Sequence, residues 1–81
     1  MEWIEIIQRT DDYIKMRYYP NQDKAAGLFG EVTYFFVSDK WIFNKIVEDY
    51  PASYAMHAVN FARYRHKANE EIPQSGLVAW H

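Results

Sequence analysis

The hydrophobic period changes once along the chain, at Pro51, and that change decides most of what the fold can be. Before it, apolar residues tend to recur at alternate positions; after it, they recur at threes and fours. Period two sends neighbouring side chains to opposite faces of a strand, whereas a period near 3.6 gathers them on one side of a helix. The chain is therefore expected to build a sheet first and then lay a helix on it.

The clearest strand is Tyr13-Ile14-Lys15-Met16-Arg17-Tyr18-Tyr19, with Ile14, Met16 and Tyr18 on one face and Lys15 and Arg17 on the other. Ahead of it, residues 2–8 read as an Ile-rich strand that stops at Thr10-Asp11-Asp12, whose short polar side chains compete for local backbone groups and favour a turn. Pro20 to Asp23 ends the second strand, and Lys24 to Gly30 is a connection punctuated by Gly27 and Gly30. Two β-rich runs, 31–37 and 41–47, then flank Ser38-Asp39-Lys40, which predicts a hairpin with those three residues as its loop. In that register Val37 opposes Trp41 and Phe35 opposes Phe43, all on one face. A helix over 39–49 capped by Ser38 competes for the segment, since Ile42 and Ile46 are four apart; β-branched and aromatic content favours the hairpin.

Beyond Pro51 the helix is expected from Ala52 to about Asn69, with Tyr54, Ala55, Ala58, Phe61, Ala62 and Arg65 on its inner stripe. Pro51 suits the first helical turn, Asp49 or Ser53 can accept hydrogen bonds from its open backbone donors, and Arg63, Arg65 and Lys67 suit the negative end of the helix dipole. Leu77 to Trp80 reads as a short last strand. The expected class is α+β: a small antiparallel sheet of about four or five strands with one amphipathic helix packed on one face, forming a single small globular domain over residues 1–81. Composition agrees, because two Leu against seven Ile, five Val and fifteen aromatic residues favour pleated surfaces over a leucine-rich bundle.

Several chemistries are excluded. The chain has no cysteine, which removes disulfides, thiolate nucleophiles and thiolate-bound metals. Glu2 and Glu5 stand where an export signal needs a basic start, and no apolar run approaches the roughly 20 residues needed to cross a bilayer, so a cytoplasmic protein without membrane association is expected. A formal net charge of -2 argues against nucleic acid as a general partner.

His57 and His66 are nine apart and do not match metal-ligand spacing, so no metal or cofactor is expected. His57 beside Tyr54 is a candidate ligand-binding residue, with a structural helix histidine as the plainer role. The cluster Arg63, Arg65, His66 and Lys67 reads as a solvated helix end with Glu70 and Glu71 as neighbouring counter-charges. Lys15 and Arg17, flanked by Tyr13 and Tyr19, form a basic and aromatic strand face suited to a small ligand or single-stranded nucleic acid. If the helix covers one sheet face, Phe35, Val37, Trp41 and Phe43 remain on the other as a protein interface, unless the first strand or Trp80 covers them as core. The expected function is a non-catalytic module, not an enzyme, that binds a protein partner or a second copy of itself through this aromatic sheet face; the alternative is the ligand- or nucleic-acid-binding surface around Lys15 and Arg17.

Overall fold

The computed structural model describes residues 2–20, 27–48 and 52–78. Strand β1 spans Glu2–Arg9, β2 Tyr13–Tyr19, β3 Gly30–Phe35 and β4 Lys40–Lys45; helix α1 spans Ser53–Lys67 and β5 Ser75–Val78. All strand pairs are antiparallel in one five-stranded sheet of order β4-β3-β2-β1-β5. The first four strands form a meander, and α1 carries the chain back across one face to add β5 beside β1. The expected α+β architecture is the observed one. The predicted roles of Asp49, Pro51 and Trp80, and the first part of the loop from Lys24, lie outside the described residues.

Alternation sets the covered face. Ile4, Ile6, Ile14, Met16, Tyr18, Val32 and Tyr34 are buried against Ala55, Ala58, Val59, Phe61 and Ala62 of the helix. Three alanines in that stripe bring the helix backbone close to the sheet. The close approach continues at Gly76 of β5, where a Cβ would sit 2.6 Å from the Phe61 ring, so glycine is required beneath that ring. Gly30 is required more strongly: a Cβ there would stand 2.1 Å from the ring of Tyr18, its cross-strand neighbour.

The turns follow local chemistry. The Thr10 hydroxyl accepts hydrogen bonds from the N–H groups of Asp12 and Tyr13, both at 3.1 Å, so the first turn forms where the polar triplet predicts it. Helix α1 ends in a Schellman motif: Asn69 is left-handed at φ 57, its N–H donates to His66 and the Glu70 N–H donates to the Arg65 carbonyl. At the other end, the Glu48 carboxylate accepts the Ala55 N–H at 2.8 Å. This acceptor precedes the helix and places negative charge at the positive end of its dipole.

The third hairpin forms, but in a different register. Its turn is Phe36 to Asp39, and Trp41 lies opposite Tyr34 rather than Val37, while Phe43 lies opposite Val32 rather than Phe35. Because side chains alternate with period two, this odd shift sends the β4 side chains ahead of the bulge to the face opposite the predicted one, while Lys45, beyond it, stays beside Glu31. Trp41 and Phe43 therefore share the helix side with Tyr34 and Val32, Phe35 stays on the uncovered side, and Val37 is 90% exposed in the turn. The four residues do not form one patch.

An ion cluster accompanies the observed register. Asp39, left-handed at φ 54, accepts a two-pronged contact from Arg63 of the helix at 2.9 and 3.0 Å, a hydrogen bond from the Tyr34 hydroxyl at 2.7 Å and an ion pair from Lys67 at 3.3 Å. Asp39 closes the turn, instead of sitting mid-loop, and from there reaches the helix. Arg63 also lies over the Trp41 ring, 5.7 Å from its centroid.

Candidate functional site

One helix cannot cover both faces of a five-stranded sheet, and the face away from the helix presents side chains from every strand. Strand register arranges it in rows that run across the strands. One row is Leu77, Trp3 and Tyr19, extended by Phe29, whose ring centroid is 6.2 Å from that of Tyr19. Beside it runs Glu5, Arg17, Glu31 and Lys45, one residue from each of β1 to β4. The next row is Gln8, Lys15, Thr33 and Ile42, and the last is Tyr13, Phe35 and Lys40.

The second row alternates strictly in charge. Arg17 Nε donates to Glu31 Oε1 at 3.1 Å, and opposite charges directly across neighbouring strands contribute about 0.2–1 kcal/mol each. A β-bulge places Lys45 opposite Glu31 and completes the alternation. Phe29 lies against this row, with the Arg17 guanidinium 4.5 Å and the Lys45 ammonium 4.1 Å from its ring centre. Exposed Leu77 stands in the row on one side and exposed Ile42 ends the largely polar row on the other, beyond which lies the Tyr13–Phe35 ring pair, 6.0 Å between centroids. Phe35 is the member of the predicted interface that lies on this face.

Lys15, Arg17, Tyr13 and Tyr19 all stand on the uncovered face, as their alternation predicts. Tyr19, however, is only 7% exposed, so its ring offers little area to a stacked base. His57 is elsewhere, on the helix flank facing β5, where it borders a groove of about 370 Å³ with Asn60, Tyr64 and Arg65. His66 packs against Phe36 at 4.7 Å between centroids. The basic helix end is thus more engaged than the sequence implies: Arg63 and Lys67 hold Asp39, and Arg65 stacks on Phe61 at 4.3 Å.

Two acidic residues that the sequence reading passes over complete the electrostatics. Glu2 alternates with Ile4 and Ile6 onto the covered face, is fully buried, and neither carboxyl oxygen finds a hydrogen-bond partner among the described residues. Burial first, and the nearby Glu48 charge second, push its carboxyl up to about 9. Glu48 accepts the Tyr18 hydroxyl at 2.5 Å as well as the helix N–H, and burial together with this contact raises the Tyr18 phenol. The Arg63 guanidinium, then the Tyr34 hydroxyl, hold Asp39 well below the usual carboxylate range, while burial and the bond to Asp39 push Tyr34 up to about 12.

The chain matches no family model, no curated protein and no solved structure. No described helix is long and apolar enough to cross a membrane.

Proposed function

We propose that the protein is a non-catalytic, self-associating interaction module, in which two copies stack their uncovered sheet faces, and that the cytoplasm is its setting. The observation that carries this reading is the order of charge along one row: Glu5, Arg17, Glu31, Lys45. A two-fold axis parallel to the strands reverses the row in the second copy. Glu5 then meets Lys45, and Arg17 meets Glu31, at every position along it. The same axis keeps the two strand directions nearly aligned, the usual geometry of packed sheets. The Tyr13 and Phe35 rings add apolar contact, and the charged row selects the register and disfavours other stackings.

Charge exchange at the ends of the row tests this. Glu5 and Lys45 are separated by three strand spacings, about 14 Å, so they do not neutralise each other within one chain. Lys45→Glu alone is expected to abolish a dimer seen by sedimentation equilibrium. Glu5→Lys combined with Lys45→Glu is expected to restore it, although each change places like charges beside each other within the chain. A protein that stays monomeric at roughly 100 μM in low salt defeats the proposal. Salt-sensitive binding of that monomer to a single-stranded oligonucleotide, lost in Lys15→Ala with Arg17→Ala, transfers support to the alternative reading.

A further inference from the structure

We infer that the outer edge of β5 and the flank of α1 form a second, independent site that takes an extended peptide with an acidic side chain. Backbone direction is the first observation. The Ile6 N–H donates to the Gln74 carbonyl at 2.9 Å, so in the antiparallel ladder Gly76 and Val78 also direct their backbone groups toward β1. Ser75 and Leu77 therefore direct theirs outward, and no described strand pairs with that side. The two sheet edges also differ in protection. β4 carries Lys40, Lys45 and a bulge, features that discourage strand addition, whereas Ser75–Val78 has no charge and no bulge.

A groove accompanies that open edge. It is bordered by His57, Asn60, Tyr64 and Arg65 from one side of the helix and by Leu77 and Val78 from the strand, with a volume of about 370 Å³. Its polar groups are complementary to a peptide. Asn60 Oδ1 is buried and accepts no hydrogen bond from a described residue, so it calls for a donor. Arg65 uses one Nη1 hydrogen bond on the Phe61 carbonyl at 2.8 Å, and its guanidinium has five N–H groups in all. Asn60 and Arg65 both border the groove, one with an open acceptor and the other with further donors. A peptide laid along β5 with a hydroxyl side chain at one position and a carboxylate two residues later satisfies both while its backbone pairs with Ser75 and Leu77.

The probe is the end-blocked peptide Val-Thr-Val-Glu-Val, followed by amide NMR shifts and hydrogen exchange. Binding is expected to protect the Ser75 and Leu77 amides and to weaken about tenfold in Arg65→Glu, in Ser75→Pro, and with lysine replacing the peptide glutamate. Ser75→Pro removes an outward N–H and no ladder bond; a thermal melt reports whether each variant folds, and the lysine-for-glutamate peptide, which leaves the protein unchanged, tests the site if either does not. Asn60→Leu is expected to raise stability while weakening the peptide, an outcome that a purely structural asparagine does not produce. Shifts confined to the uncovered sheet face, or no shift at millimolar peptide, overturn the site. Protection of Ser75 and Leu77 in the free protein that vanishes on dilution also overturns it, because the edge is then occupied by a second copy.

Discussion

Single residues here set pH dependence and steric tolerance. Glu2 has a folded pKa of about 9 against an ordinary 4.5, so between those values the folded state holds a proton that the unfolded state releases. Stability is present in full below the lower value and declines as pH rises toward the higher one, by roughly 3 kcal/mol at pH 7. Urea titrations are expected to show the protein more stable near pH 5 than near pH 8, and Glu2→Gln to remove that slope. Asp39 acts in the opposite sense. Its lowered pKa contributes stability above its ordinary 3.8 that is lost as pH falls through the folded value. Gly30 offers a steric test: Gly30→Ala drives a methyl group into the fully buried Tyr18 ring and is expected to destabilise by about 1–3 kcal/mol. Glu2 was legible in principle, since it continues the Ile4 and Ile6 alternation. What the sequence does not show is that no described residue hydrogen-bonds its carboxyl, because its neighbours Glu48 and Tyr18 arrive from distant segments.

At the scale of elements, local patterning and long-range contacts divide the chain unevenly. The expected bounds of the second strand are the observed ones, Tyr13–Tyr19, because both faces alternate and a turn residue stands at each end. The helix is shorter than expected by a residue or two at each end, and Glu48, ahead of it, accepts one of its N–H groups. Hairpin β3–β4 was predicted as an element and missed in register. Runs rich in apolar residues on both faces leave several registers nearly equal in local energy, and the observed one is accompanied by the contact between Asp39 and Arg63. Asp39→Asn keeps a residue tolerant of positive φ while removing the charge that Arg63 and Lys67 share. That variant is expected to lower the melting temperature, and amide exchange in residues 36–41 is expected to accelerate more than exchange in β1 or β2. Equal acceleration throughout the sheet means that the cluster does not set the hairpin locally.

For the whole molecule, a sheet covered by the helix on one side is the feature on which the proposed association rests. If two copies stack as proposed, the melting temperature rises with protein concentration, and added salt reduces that rise by screening the charged row. Lys45→Glu is expected to make the melting temperature independent of concentration. The sequence by itself determined the class of fold, the order of elements and the exposed side of β2. Those depend on hydrophobic period and turn chemistry, which act over a few residues. Only the tertiary structure decided the hairpin register, the burial of Glu2, the four-strand charged row and the groove beside β5. Each requires side chains from separate strands or from the helix to meet, and their distances depend on packing that no local window of sequence contains.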